Sequence, residues 1–471
     1  MNIAFVANGQ KCQFFDLIGR SIGEKIDLKV YWICVAKSQY EYLLESGYHT
    51  DDILLLNWEV KHSVGTKVGE YKLNELAYVD RVLKYHFDDG IAYLTKLQSL
   101  FYDFVKSKGI SYIFGEMTLA HEILMNRICQ DKFAGTCFYL HPQSIRIPNG
   151  RFVFMDTEFQ DTILPATQYI HNETEIEQFE IPLKPIVPQR VADVARDVKK
   201  SLTAQYRANR ISQFIINRFK SHAKDSMQAT RRNSLNKRIG KFLTLEHNKY
   251  YYTKILKKSN LADLEGKKFF FITLHMQPEA SIDVVGRYYE DQFLLIWNVW
   301  RILPTDYYVV IKEHTNAIGN RGKAFFEKCK ALKNVLIIDE ETSSHQLIKL
   351  AETIFTNSGT VALEGALYQK DVFLFSRIFF DKLKYCHRIS LNDLKYTANY
   401  FELLNICQQR DKDKMSCEAY SEYIIRSSFS GVIDPHRGSP YYTDPKNIET
   451  IANSFVKLLT HAAKRSVVSA S

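Results

Sequence analysis

The densest periodic signal in the chain runs from Tyr307 to Phe375. Three short runs of β-branched and aromatic residues, Tyr307–Ile311, Asn334–Ile338 and Thr353–Thr356, read as strands, and Asp371–Phe375 reads as a fourth. Between them lie segments of helix length whose apolar residues, such as Leu347, Ile348 and Ala351, recur at helical spacing. Strands alternating with helices predict parallel βαβ units, whose right-handed crossovers bring all strand C-termini to one edge. Open α/β sheets bind their ligands at that edge.

Polar groups fall on the predicted edge. Lys312-Glu313-His314 leaves the first strand, and Thr342-Ser343-Ser344 precedes a helix, where a hydroxyl suits the N-cap. Asn357-Ser358-Gly359-Thr360 leaves the third strand and opens a helix carrying Glu364 one turn in. A small Gly-containing turn at a helix N-terminus suits a phosphate, and a carboxylate suits ribose hydroxyls. A capped helix start with a solvated Glu364 would use the same residues. Their assembly on one edge predicts a nucleotide site at His314, Ser358, Gly359, Thr360 and Glu364, with Lys312, Ser343 and Ser344 nearby.

Upstream, Lys267–Thr273 is a continuous apolar run, the pattern of a strand buried on both faces. It leads into Leu274-His275-Met276-Gln277-Pro278-Glu279-Ala280-Ser281, with Asp283 and Arg287 in the next segment.

In this order the residues resemble the bacterial capsular polysaccharide biosynthesis family. The match is carried by Lys312-Glu313-His314, the loop with Gly319, Arg321 and Gly322, Asn334-Val335, Ser343-Ser344, and Ser358-Gly359-Thr360 with Glu364. It is densest over about Phe269 to Phe380; Thr315 stands where most members have proline. The resemblance implies a GT-B fold, two Rossmann-like domains facing a cleft, with a final helix crossing back to the first. It implies a glycosyltransferase, some members using CMP-linked Kdo, and assigns the His275/Gln277 loop to the donor. A polyol-phosphate polymerase or a GT-B-type sugar epimerase would share the architecture.

The N-terminal half repeats the rhythm. Strands are expected at Ile3–Val6, Leu28–Cys34, Ile53–Leu56, Ser111–Phe114 and Thr136–Leu140, and helices over Cys12–Ile22 and Leu73–Lys106, the latter interrupted near Asp88-Asp89-Gly90. Glu116 follows a buried strand beside Gly115, so it is a candidate base or nucleophile, with Glu279 and Asp283 next. A helix-capping carboxylate is the other reading. Arg146 and Arg151 flank Pro148-Asn149-Gly150 in the loop from His141 to Phe152, where fixed guanidiniums could hold a sugar carboxylate or phosphate. Two solvated arginines beside a hairpin are the alternative.

Charge changes the picture in one place. Residues 196–258 carry 17 Lys and Arg against three Asp and Glu, a net +14 in a chain of +9. Apolar Ile211, Phe214, Ile215 and Phe219 interleave, as in a basic amphipathic helix that rests on anionic lipid or an acidic polymer. A solvated helical connector is the plainer reading, and a nucleic-acid-binding protein the alternative of another class, though no such motif accompanies the charge.

The resulting division is an acceptor domain at 1–195, a basic connector at 196–262, a nucleotide-sugar domain at 263–440 and a C-terminal helix at 441–471. The 471 residues accommodate this, and the 46% hydrophobic and 24% charged content is ordinary for a globular protein. Eight cysteines without a C-x-x-C pair, and Asp411-Lys412-Asp413 as the only D-x-D, predict neither a zinc site nor another metal. No Walker loop or G-x-G-x-x-G follows a strand, so no cofactor is expected beyond a nucleotide-sugar substrate. Met1–Ala7 reads as a strand and not a signal peptide. With no apolar run near 18 residues, a cytoplasmic protein, peripheral on the inner membrane face, is expected.

Overall fold

The computed structural model describes residues 1–9, 11–62, 64–166, 235–435 and 439–468, with a few isolated residues between 200 and 212. In its described residues the chain forms two compact units. The first takes in residues 1–166 and 421–468, the second residues 235–420. Most of the basic stretch, including the predicted helix at 209–224, lies outside the described residues.

In the first unit, β1 (Asn2–Ala7), β2 (Lys29–Cys34), β3 (Ile53–Leu55), β4 (Tyr112–Phe114), β5 (Phe138–Ile145) and β6 (Arg151–Met155) lie in the order β3-β2-β1-β4-β5-β6. All but β6 run parallel. The outer edge of β6 pairs with β7 (Ile163–Leu164) and with the two-residue strand Phe429–Ser430. The chain has therefore rejoined this sheet by residue 429, ahead of the turn-rich stretch at 434–440. Helix Pro445–Val468 then lays Ile451, Phe455, Leu458 and Leu459 into the core. These positions are three and four residues apart, so one stripe is buried. The Phe455 ring sits 4.7 Å from Phe114 and 4.9 Å from Phe154.

Two local readings change. The segment from His141 to Phe152 is a hairpin: Ile145 pairs with Arg151, and Pro148-Asn149-Gly150 turns it, with Gly150 at φ +78°. The helical stretch after Leu73 breaks at Asp80, whose carboxylate accepts the amides of Val82, Leu83 and Ala120. Asp88 and Asp89 instead open helix Phe87–Lys108, where acids suit the positive end of the dipole.

The second unit is a six-stranded parallel sheet. Its strands β8 (Phe269–Thr273), β9 (Tyr308–Lys312), β10 (Val335–Ile338), β11 (Thr353–Thr356), β12 (Val372–Leu374) and β13 (Cys386–Arg388) lie in the order β10-β9-β8-β11-β12-β13. Both units thus have a doubly wound, Rossmann-like strand order, which reverses beside the first strand of each.

At the far edge, His387 on β13 is 1% exposed in its side chain and is held by two carboxylates. Its Nδ1 lies 2.8 Å from Asp411 and its Nε2 2.8 Å from Asp371. Burial opposes the charge, but the two carboxylates outweigh it and raise the pKa of the imidazole. A raised folded pKa stabilises fully below the unfolded value of about 6.5 and is lost as pH climbs through the folded value. His387→Gln should lower stability by about 3 kcal/mol at pH 6, the lower end for breaking a buried pair. The gap to wild type, followed by denaturant unfolding, should narrow as pH rises above about 6.5 and through the raised folded pKa.

Candidate functional site

The strand order reverses between β8 and β11, so the crossovers leaving them go to opposite sides and a crevice opens at their C-terminal ends. β8 delivers His275 there, and β11 delivers Asn357-Ser358-Gly359-Thr360. The His275 Nε2 lies 3.1 Å from Thr356 Oγ1, and its backbone is clamped by Gln292, which accepts its amide at 2.7 Å. Burial, with His314 and Arg321 nearby, lowers its pKa to about 3, so the ring is neutral at physiological pH. Gly359 is there because nothing larger fits. A Cβ at that position would stand 2.9 Å from Thr356 Oγ1 and 3.3 Å from His275 Cε1.

β9 delivers the other side. Lys312 donates to the Thr342 carbonyl at 2.6 Å and to Ser344 Oγ at 3.0 Å, and burial lowers its pKa. Ser343 occupies the N-cap of helix Ser344–Leu350, but its exposed hydroxyl makes no capping bond. Glu364, half-buried in helix Val361–Leu367, has its Oε2 3.6 Å from His345 Nδ1 and lies within electrostatic range of Lys312. His314 accepts the Asn316 amide through Nδ1 at 3.2 Å. Beneath it Glu313 is buried, accepting from Arg321 and from the His314 amide. Arg321 also donates to the His275 carbonyl at 2.5 Å, joining the β8 and β9 loops.

Several candidates are engaged by hydrogen bonds within these loops. Asp283 is buried with both oxygens engaged, one accepting Gln277 Nε2 at 2.8 Å and the other the Glu279 amide at 3.0 Å. It therefore shapes the loop and does not present a carboxylate. Glu279 is half-buried and accepts from Ser281 Oγ. The Ser358 hydroxyl donates to the Ser281 carbonyl, which leaves the backbone of its turn, and not its side chain, to meet a ligand.

In the first unit the same reversal lies between β1 and β4. Glu116 follows β4 and pairs with Lys11 at 2.8 Å, and Lys11 also reaches Asp434 at 3.3 Å. Burial would raise the pKa of Glu116, but the Lys11 charge dominates and holds it well below the usual range. The turn is fixed by Glu122, which accepts the amides of Glu116, Thr118 and Leu119 and the Asn8 side chain. Gly115 answers an internal demand and leaves no room for a ligand: a Cβ would meet Tyr139 Oη at 2.3 Å and Val6 at 2.9 Å. His141, buried at the same edge, adds its electrostatic influence to Glu116.

Arg151 is corrected outright. It is buried and donates to Ser428 Oγ at 2.7 Å, Ser430 Oγ at 3.1 Å and the carbonyls of Ile425 and Ser428, tying strand Phe429–Ser430 to β6. Arg146 is exposed on the other arm of the hairpin. Arg321, Gln292, Lys11 and Glu122 escaped the reading of sequence as site residues. Arg321 carried a signal only as part of the Gly319–Gly322 loop, and Lys11 only by standing just past the β1 turn.

Among the described residues no cluster of three His, Cys, Asp or Glu could hold a metal, and no helix is long and apolar enough to cross a membrane. No family model matches the sequence, and no curated protein matches it significantly. Among solved structures, the chain is similar to Thermosulfurimonas dismutans KpsC, beta Kdo 2,7 transferase, at 11% identity and a TM-score of 0.35, covering 77% of this chain and 89% of that one. The beta Kdo 2,4 transferase of the same protein matches at 13% identity and a TM-score of 0.33, over 74% and 88%. UDP-GlcNAc 2-epimerase from Methanocaldococcus jannaschii matches at 12% identity and a TM-score of 0.26, over 90% and 98%.

The close fit at Gly359 makes a test of the crevice. Gly359→Ala should displace the His275 ring and lower stability by about 1–3 kcal/mol, as overpacking does. Thermal unfolding of the variant, compared with Gly359→Ala/Thr356→Ser, checks the origin. Trimming the Thr356 methyl while keeping its hydroxyl should not relieve the clash, because the nearest atom is Oγ1.

Proposed function

We propose that this chain is a metal-independent glycosyltransferase of GT-B type, moving a sugar from a nucleotide-sugar to a polysaccharide or glycolipid acceptor. The observation that carries this reading is the meeting of three strand ends at the β8/β11 reversal. There a neutral buried His275, the Ser358–Thr360 turn, His314, and Lys312 with Glu364 surround one edge. In the proposal the donor phosphates lie over the backbone amides of Gly359 and Thr360, and Glu364 accepts the ribose hydroxyls. His314 and Lys312 add polar contacts on the same side. Preorganised amides and a cation stabilise charge as it develops on the departing phosphate. A CMP-linked donor of Kdo type agrees with the motif order noted in the sequence.

The acceptor is assigned to the first unit, where Glu116 stands at the β1/β4 reversal. Its pairing with Lys11 keeps it ionised through the physiological range, so it acts as a fixed carboxylate towards an acceptor hydroxyl or a glycosyl centre. Arg146, exposed on the hairpin, is available to an acidic acceptor.

Glu364→Ala should weaken binding of the donor nucleotide by about 1.5–3 kcal/mol, the worth of a charged hydrogen bond, with the melting temperature little changed. Titration calorimetry reads it, and unchanged affinity for every nucleotide that binds wild type would remove Glu364 from the site.

Glu116→Gln should bind the donor nucleotide normally yet transfer sugar about 10²–10⁴-fold more slowly, the range for a group acting on the reacting proton. Turnover near the wild-type rate would pass the role to Glu279.

A further inference from the structure

Helix Leu235–Tyr250 of the second unit has two unlike faces. One seats it on the loop after β9. Asn248 Nδ2 donates to the Gly319 carbonyl at 3.1 Å, and a Cβ on Gly319 would stand 2.5 Å from Lys249 Cγ and 3.2 Å from Leu245 Cδ1. The chain just past the helix continues the contact. Tyr251 donates to Glu327 at 2.5 Å, and the Tyr252 ring lies 5.3 Å from that of Phe326. At 3.6 residues per turn Leu245, Asn248 and Lys249 share one side of the helix.

Ile239, Leu243 and Tyr250 share the opposite side, within about 40° of one another around the axis. They are 37%, 59% and 49% exposed, and Ile255, in the turn that follows, is 55% exposed. Single exposed apolar residues are ordinary, but a stripe of them along one helix face marks an interaction surface.

The charges around the stripe have one sign. From Ile239 to Lys258 there are five lysines and one carboxylate, Glu246, which pairs with Lys249 at 3.7 Å. Lys258 is taken up by Asp339 and Glu340, while Lys241, Lys254 and Lys257 are exposed. The sequence entering the helix, residues 196–238, adds 12 Lys and Arg against two Asp. A second copy of the chain would bring like charges together over the stripe. A nucleic acid would be drawn by the lysines but would leave the apolar side chains in water. An anionic bilayer surface answers both features, because apolar side chains enter the boundary between headgroups and acyl chains while lysines meet lipid phosphates.

We propose that helix Leu235–Tyr250 docks the second unit on an anionic phospholipid surface. Ile239, Leu243 and Tyr250 enter the headgroup boundary, and Lys254 and Lys257 meet the phosphates beside them. Tyrosine suits that depth, its ring in the apolar layer and its hydroxyl among the headgroups. With so few inserted side chains the contact is reversible and sensitive to salt. It stands independently of the sugar-transfer reading.

The full chain is tested by flotation with vesicles of phosphatidylcholine alone and of phosphatidylcholine with phosphatidylglycerol at about three to one. Wild type should float with the anionic vesicles at low salt, come off as salt is raised, and stay down with the neutral ones. Ile239→Ser/Leu243→Ser should keep the melting temperature, since both side chains are exposed, and lose roughly tenfold or more in partition. Lys254→Glu/Lys257→Glu should lose about tenfold or more on anionic vesicles. Leu243→Trp should bind at least as tightly as wild type, because tryptophan favours the interface. No flotation of wild type, or equal flotation with neutral vesicles, overturns the proposal. A serine variant that floats like wild type, leaving only the lysines to matter, would mark a general polyanion surface and overturn it. A wild type that sediments as a dimer, split to monomers by the serine substitutions, would make the stripe an interface between copies and overturn it as well.

Discussion

The constraint on which this protein turns is the divergence of crossovers at a strand-order reversal. In a parallel sheet every strand must return by a right-handed connection, so the helices after β8 and β11 are forced to opposite faces. The backbone ends between them cannot be covered by either helix. That uncovered edge is where polar groups can be held in fixed positions without being satisfied by regular secondary structure. The first unit obeys the same constraint between β1 and β4, and Lys11, Glu116 and Glu122 gather there for the same reason.

Holding an irregular edge still requires polar side chains, and much of the polar inventory here serves that end. Gln292 clamps the His275 backbone, Arg321 bridges Glu313 to the His275 carbonyl, and Asp283 closes its own loop. Glu122 does the same beneath Glu116. Each accepts or donates to backbone groups that turns leave open, and a buried amide without a partner would be costly. The residues left to face a ligand are fewer than the motifs suggest. In the proposed donor site they are the backbone amides of the Ser358–Thr360 turn, with Glu364 and His314 beside them.

Electrostatics divides the two edges. Around β8 and β9 burial keeps His275 neutral and disfavours the charge on Lys312, so this edge can respond to a ligand's charge. At β4 the Lys11–Glu116 pair is already compensated, with Asp434 adding a further carboxylate. A neutral hydroxyl suits that second edge better than an anion does.

Much of the architecture was legible from residues 267–375 alone. Continuous apolar runs as short as Phe269–Thr273 fit strands covered on both faces, and their alternation with helical segments implies a parallel sheet with its strand C-termini on one edge. Periodicity reports which face of an element is buried, and so it located the Gly359 turn, Glu364 and the final helix. What periodicity does not report is which distant groups a side chain will meet. Arg151 read as a ligand for acidic sugars because Pro-Asn-Gly sat beside it; pairing of β6 with Phe429–Ser430, 277 residues from its partner Ser428, made it a buried tie. Ser358 and Asp283 likewise carried the right chemistry, but their hydrogen bonds were claimed by loops brought close only by the sheet. Local pattern decides the elements and the edge they share; the competition among polar groups for partners on that edge is decided by long-range packing.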